Sequence, residues 1–337
     1  MKKEELKMTA KIINGTEMAG AISEELKEEV KSLKERHGII PGLVTILVGD
    51  DPASVSYVKG KQTNAKDLGF YSVQDNQPAD ISEEQLVSLI NKYNRDPLIH
   101  GILVQLPLPE QINENRVIYA IAPDKDVDAL HPVNAGRLMI GEAYYYPCTP
   151  YGIHQMLIRS GVNLDGAEVV VLGRSNLVGK PISMMLIQKQ SKANATVTMC
   201  HTGTKNLAEH TRRADILIVA AGRPKTVTAD MVKEGSVIID VGVNRIGMTP
   251  QGKAILCGDV DFETVKEKAG LITPVPGGVG PMTRMMLMLN VIKAAKVNAG
   301  GFYIEHTPLP GNVERHQWDN RFCRIKALPS VAGAVGS

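Results

Sequence analysis

Met18, Ile22, Leu26, Val30 and Leu33 recur at three- and four-residue intervals between polar positions, which predicts an amphipathic helix over residues 16–37 with Thr16 as its cap. The period then changes. Residues 43–48 form a short continuous apolar run, as a buried strand does, and a second helix is expected over residues 54–68. Ser82 followed by Gln85 has the spacing of a capping box and starts a helix carrying Leu86, Leu89 and Ile90, after which residues 102–106 read as a strand. Helices alternating with short apolar strands predict a parallel sheet built from βαβ units. Residues 146–152 are rich in Pro, Thr and Gly and read as a crossover into a second α/β series. Its strands are expected at 168–172, 195–199, 216–220 and 237–241, the rhythm of a doubly wound, Rossmann-like sheet. A loop over 274–281 precedes a last helix at 285–295, and the rest, rich in Pro and Gly, reads as an irregular extension.

Length and composition sharpen this picture. At 337 residues the chain exceeds one ordinary core and fits two domains. The expected division is a catalytic domain over 1–150, completed by a helix at 282–298, a dinucleotide-binding domain over 151–281 and an extension over 299–337, with an active-site cleft between the two domains. A formal net charge of +2 gives no field that suits nucleic acid. No stretch has the length of an apolar membrane span, and the charged start Met1-Lys2-Lys3-Glu4 precedes no apolar run, so a cytoplasmic protein without a membrane partner is expected. Cys148, Cys200, Cys257 and Cys323 are scattered, which suggests reduced thiols and neither zinc nor disulfides. Asp126 and Asp128 could form half a metal site, but no His or Glu nearby completes it, and no metal is expected.

The strand at 168–172 runs into Gly173-Arg174-Ser175-Asn176-Leu177-Val178-Gly179-Lys180-Pro181 and then a helix. Such a turn aims backbone N–H groups and a positive helix end at a phosphate, although the spacing is not G-x-G-x-x-G and a plain packing turn fits it as well. The next strand ends at Cys200-His201-Thr202, where an NAD site usually places an Asp or Glu for the ribose hydroxyl. With no carboxylate there, and with Arg174, Ser175 and Thr202 at hand, the pocket suits the 2′-phosphate of NADP better than NAD. The alternative for Arg174 is an exposed loop arginine, the lesser reading in this setting.

Five segments, in order, carry a wider likeness: Pro52-Ala-Ser-Val-Ser-Tyr57-Val-Lys-Gly-Lys61, Gly101-Ile-Leu-Val-Gln105-Leu-Pro-Leu-Pro109, Pro123-Asp-Lys-Asp126-Val-Asp128, the Gly173 segment, and Thr273-Pro-Val-Pro-Gly-Gly-Val-Gly-Pro-Met-Thr283. Together they resemble the bifunctional methylenetetrahydrofolate dehydrogenase/cyclohydrolase family over residues 9–298. The resemblance implies NADP-dependent oxidation of 5,10-methylenetetrahydrofolate, hydrolysis of the methenyl product to 10-formyltetrahydrofolate, a place in purine biosynthesis, and a homodimer. It implies further that Lys61 is the key hydrolytic residue, that Gln105 holds it, that Asp128 binds the amino-pyrimidine edge of the pterin, and that Pro276, Gly277, Gly278 and Gly280 lie against folate and nicotinamide. The cofactor site it implies comprises Gly173, Arg174, Ser175, Val178, Gly179, His201 and Thr202, with Gly277 and Gly278.

The residues themselves are consistent with that chemistry. Tyr57 and Lys61 are four apart on a predicted helix and share a face. A lysine shielded from water can exchange protons near neutrality. Alone, Lys61 reads as a solvated helix lysine, Tyr57 as a packing residue, Gln105 as a sheet-end amide and the glycine loop as a connector. Ala129 stands where the family commonly has Gly and Thr202 where Ser is frequent, and the formate activation of trifunctional relatives, which needs a long ligase domain, is not expected. Rival readings are a relative with dehydrogenase activity only or with NAD, a non-catalytic folate- or nucleotide-binding protein, and a 2-hydroxy-acid dehydrogenase, for which no His–Asp or Arg constellation stands out.

Overall fold

The structure, a computed structural model, describes residues 9–252 and 254–298, so the expected C-terminal extension lies outside the described residues. The chain opens with β1 (Lys11–Ile12) and α1 (Gly15–His37). The cap of α1 is Asn14, not Thr16: the Asn14 side chain accepts from the N–H groups of Thr16 and Glu17, and Thr16 lies inside the first turn. Ile22, Leu26, Val30 and Leu33 form its buried stripe. β2 (Gly42–Val48) is buried throughout, and α2 (Pro52–Asp67) starts two residues before the sequence suggests because Asp51 caps it and Pro52 suits a first turn that has no N–H to lose. β3 (Tyr71–Gln77) follows, then α3 (Glu83–Arg95), where both bonds of the Ser82–Gln85 capping box are present, and β4 (Gly101–Val104). These strands form a parallel sheet of order β3-β2-β4. β3 escapes the hydrophobic pattern because it is a polar edge strand, half-exposed along its length.

Next come α4 (Glu114–Ala120), α5 (Pro132–Met139) and α6 (Cys148–Arg159). The stretch 146–152 is therefore not an extended crossover: α6 begins inside it, with Pro150 in a first turn whose N–H groups need no intrahelical partner. The second series runs β5 (Glu168–Leu172), α7 (Gly179–Leu186), β6 (Thr196–Cys200), α8 (Leu207–Arg212), β7 (Ile216–Val219), β8 (Val237–Asp240), the antiparallel pair β9 (Asn244–Met248) and β10 (Ala254–Cys257), α9 (Phe262–Val265), β11 (Leu271–Ile272) and α10 (Val279–Asn298). Six strands make a parallel sheet of order β1-β11-β8-β7-β5-β6, so the strand order reverses beside β5, where a doubly wound sheet opens a crevice.

Alternation along the strands places the layers. Leu43 and Leu103 from the small sheet join Val169, Val171, Ile216 and Ile218 from the large one in a single core with α1, α6 and α10. Their neighbours Val44, Ile46 and Ile102 face the far side of the small sheet, and Val170, Leu217 and Ile238 the far side of the large one. Three helices are thus packed between two parallel sheets. α10 extends well beyond the expected 285–295 and takes in Gly280 and Pro281 as its first turn. From Met282 to Ala295 it is mostly apolar and buried, with Thr283, Arg284 and Lys293 half-buried, and its sequence shows no amphipathic period to mark its start.

Candidate active site

Tyr57, Gly60, Lys61 and Asn64 occupy one stripe of α2, while Ser54, Val58, Gln62 and Ala65 form the buried stripe beside it. Gln105 lies one residue past the end of β4, still pinned to the sheet by its N–H donating to Ile46 O at 2.9 Å. Across that gap Lys61 Nζ donates to Gln105 Oε1 at 2.8 Å, and Gln105 Nε2 donates to Leu106 O at 2.6 Å, which fixes the amide with its oxygen toward the lysine. Lys61 is half-buried, and the loss of water around its ammonium pushes its pKa below the ordinary lysine value, against the opposing pull of Asp128. Tyr57, 44% exposed, stands one turn before it on the same face.

The segment carrying Asp128 is held from several sides. Ile102 N donates to Lys125 O at 2.8 Å, and Asn290 Nδ2 on α10 donates to Val127 O at 2.8 Å and to Tyr146 O at 2.9 Å. Asp126 is a clamp: its carboxylate accepts from Leu130 N, His131 N and Asn134 Nδ2 at 3.2, 2.8 and 2.8 Å. Ala129 takes a left-handed φ of 55°, which explains why glycine is the easier residue there. Cys148 is buried at the start of α6 with its thiol toward Val127 O, and burial, reinforced by Asp128, pushes its pKa up, so it is a neutral thiol. No local pattern singles Cys148 out; its place beside Asp128 and Lys61 arises only when α6 docks.

The glycines between β11 and α10 have different tasks. Gly277 has φ 100°, its carbonyl accepts from Thr16 N at 3.0 Å, and a Cβ on Gly15 would lie 1.8 Å from Gly278 O. A Cβ on Gly278 would meet Pro274 O at 2.5 Å. Gly277 is thus required by its left-handed backbone, Gly278 by the close approach of Pro274 and Gly15 by the approach of the loop to α1, whereas a Cβ on Gly280 would have nothing within 4 Å and Pro276 is exposed.

At the large sheet, Gly173 N donates to Cys200 O at 2.9 Å, so the loops after β5 and β6 leave from adjacent strand ends. Gly173 has φ 132°, a Cβ there would lie 2.3 Å from Ala220 O, and one on Gly179 would lie 2.1 Å from Gly173 O. Ser175 Oγ accepts from Val178 N at 3.1 Å, closing the turn, while Arg174 and Ser175 stay exposed. His201 Nδ1 accepts from Gly203 N, and Thr202 is exposed beside it. Sequence reasoning missed the pair that braces this end of the sheet. Asp259 accepts from Ala221 N and Gly222 N, both at 2.7 Å, and from Asn244 Nδ2 at 2.8 Å. Asp240 accepts from Gly242 N, Asp259 N and Val260 N at 2.9, 3.0 and 2.9 Å, and burial pushes its pKa up to about 6.

Residues 13–128 match the catalytic-domain model of tetrahydrofolate dehydrogenase/cyclohydrolase, and residues 147–299 match the NAD(P)-binding-domain model of the same enzymes. The chain belongs to the tetrahydrofolate dehydrogenase/cyclohydrolase family. It has the family's two-domain α/β fold, with a catalytic domain and an NAD(P)-binding domain on a parallel sheet. A bifunctional protein FolD of Syntrophus aciditrophicus is 66% identical over 293 residues, covering 87% of this chain and 100% of that relative. The crystal structure of the bifunctional FolD of Campylobacter jejuni superposes with a TM-score of 0.80 at 45% identity, covering 86% of this chain and 99% of that one. The Trypanosoma brucei FolD, solved with NADP cofactor and inhibitor, gives 0.83 at 38% identity over 87% of this chain and 100% of its own.

The family's dinucleotide fits the strand-end loops described above. The Gly173 and Gly179 turn leaves no room for a side chain, and the exposed guanidinium of Arg174 and hydroxyls of Ser175 and Thr202 form a donor set with no carboxylate in 200–204 to repel a phosphate.

Proposed function

We propose that this chain catalyses both reactions of its family at one site: NADP-dependent oxidation of 5,10-methylenetetrahydrofolate and hydrolysis of the resulting methenyl cation to 10-formyltetrahydrofolate, with Lys61 serving the hydrolysis. The observation that carries the reading is the 2.8 Å bond from Lys61 to an amide fixed at the end of β4. When bound, NADP supplies the nicotinamide that takes up the hydride. Gly173, Val178 and Gly179 would hold its pyrophosphate and Arg174 and Ser175 its 2′-phosphate, with His201 and Thr202 at the ribose end and Gly277 and Gly278 toward the nicotinamide. For the oxidation the chain needs mainly to position, because the two folate nitrogens share the positive charge left on the carbon. Asp128 would accept paired N–H donors of the pterin, and Tyr57, Pro276 and Gly280 would line the rest of the folate.

Hydrolysis asks more of the side chains. Water adds to the methenyl carbon and loses a proton, giving a neutral carbinolamine; the bond from that carbon to N5 then breaks as N5 gains a proton and the hydroxyl gives up its own to solvent, leaving the formyl group on N10 and one proton released overall. A lysine with a lowered pKa can take the first proton as a free amine and return it to N5. Gln105 Oε1 occupies one N–H of Lys61 and so leaves the lone pair to point elsewhere. The experiment is to follow methylenetetrahydrofolate oxidation and methenyltetrahydrofolate hydrolysis with NADP and with NAD. Absence of hydrolysis, or preference for NAD, overturns the reading.

We further infer the division into a catalytic domain over 1–150 completed by 282–298 and a dinucleotide domain over 151–281, with the cleft between them. A homodimer is inferred as well, for which the open side of edge strand β3 offers unpaired backbone groups. A cytoplasmic place and a role in supplying formyl groups for purine biosynthesis complete the proposal. In its support, Cys148, Cys200 and Cys257 are free thiols, and no helix among the described residues is long and apolar enough to cross a membrane.

A further inference from the structure

Arg284, on the second turn of α10, carries a charge that nothing among the described residues neutralises. It has no ion pair there, and its Nε is shut off from water with no hydrogen-bond partner. Its place is set by a glycine on another helix: a Cβ on Gly60 would lie 2.5 Å from Arg284 Nη1, 3.4 Å from Cδ and 3.5 Å from Cζ. The edge of the guanidinium formed by Cδ and Nη1 thus packs on α2, while Nε stays shut in and the residue as a whole is half-buried. Glycine is a poor residue for a helix interior, and here it clears the space the arginine occupies.

Gly60 shares its stripe with Tyr57 and Lys61, so the guanidinium lies across the face of α2 that carries the proposed chemistry. Asn64, the next position of that stripe, has a buried Oδ1 that also lacks a partner.

We propose that Arg284 binds a carboxylate of the folate's glutamyl tail and so sets the enzyme's preference among folates by tail charge. The inference rests on the folate reading above. A reduced folate has no anionic group except on its tail, and its ring end is met by Asp128 and Lys61. The dinucleotide's phosphates belong to the loops after β5 and β6, on the other sheet.

The test compares 5,10-methylenetetrahydrofolate with the same molecule whose tail carboxylates are converted to methylamides. For Arg284→Leu, KM for the natural substrate rises about 10- to 100-fold, as loss of a charge-assisted pair entails, with kcat changed little, while KM for the neutral-tail substrate stays as in the wild type. In the wild type, added salt raises KM for the natural substrate and leaves that for the neutral one unchanged, a readout that needs no variant. Gly60→Ala, which displaces the guanidinium, reproduces the Arg284→Leu pattern. Equal effects on both substrates, or no effect on either, overturn the proposal. Failure of the wild type to turn over either substrate instead overturns the folate reading itself.

Discussion

Lys61 and Gln105 come from a helix and a strand end separated by a whole β-α-β unit, yet Nζ of one donates to Oε1 of the other at 2.8 Å. The bond forms because both residues sit at the carboxyl end of the small sheet, Lys61 on the helix after β2 and Gln105 just past β4, the strand beside it.

Replacing Lys61 by Ala should lower methenyltetrahydrofolate hydrolysis by about 10²- to 10⁴-fold, the usual worth of a positioned proton carrier, while NADPH formation from methylenetetrahydrofolate stays measurable. Lys61→Arg should lose hydrolysis as deeply, because arginine keeps the charge but cannot give up its proton. The decay of methenyl absorbance checks both, and an arginine variant that hydrolyses at the wild-type rate would show that charge alone suffices.

The hydrolysis rate should climb with pH through the pKa of Lys61 and level off above it, because only the free amine accepts a proton; that pKa lies below the ordinary 10.5. Asp128 holds the ammonium form, so Asp128→Asn should move the midpoint to lower pH. The cost of burying this ammonium is fully present below the folded-state pKa and disappears above 10.5. A pH series of kcat on both proteins measures the shift, and a midpoint moving upward in Asp128→Asn would contradict the assignment.

Arg174→Ala should raise KM for NADP about 10- to 100-fold and leave the weaker use of NAD almost unaltered, since only the 2′-phosphate is read by that guanidinium. Steady-state kinetics with both dinucleotides decide it. Equal losses with the two would place Arg174 on a group they share.

Asp240 should make stability depend on pH in the acid range. Its pKa rises from 3.8 to about 6 on folding, so its contribution is fully present below 3.8 and lost as pH rises through about 6. Asp240→Asn should flatten the dependence of thermal stability over that window and cost about 1–3 kcal/mol at neutral pH, because an amide cannot accept from Val260 N while its oxygen accepts from Gly242 N and Asp259 N. Melting curves from pH 4 to 7 test both parts.

Much of this architecture was legible because buried parallel strands read as apolar runs: 43–48 and 168–172 lie wholly on strands of the two sheets, and 216–220 overruns its strand by one residue. α6 and the start of α10 were not, since Pro150, Gly280 and Pro281 read as breakers until their first-turn positions are known. β1 and β11, two residues each, leave no period to detect. In the site, spacing alone put Tyr57 and Lys61 on one face. Cys148, Arg284, Asp240 and Asp259 depend on contacts between segments far apart in the chain, such as Arg284 on Gly60, and no local pattern encodes those.

The strand that opens the described chain, β1, pairs with β11, the last of the large sheet, and α1 behind it packs on α10. During synthesis β1 therefore emerges well before β11 and waits for every segment between them before its partner exists. The small sheet, whose strands are close neighbours in sequence, can close early, whereas the dinucleotide sheet remains open at that edge until the end. Any fragment that stops before β11 leaves β1 without its partner and strips α1 of the helix that covers it, so cutting the chain at the apparent domain boundary yields an aggregation-prone piece and not a smaller enzyme.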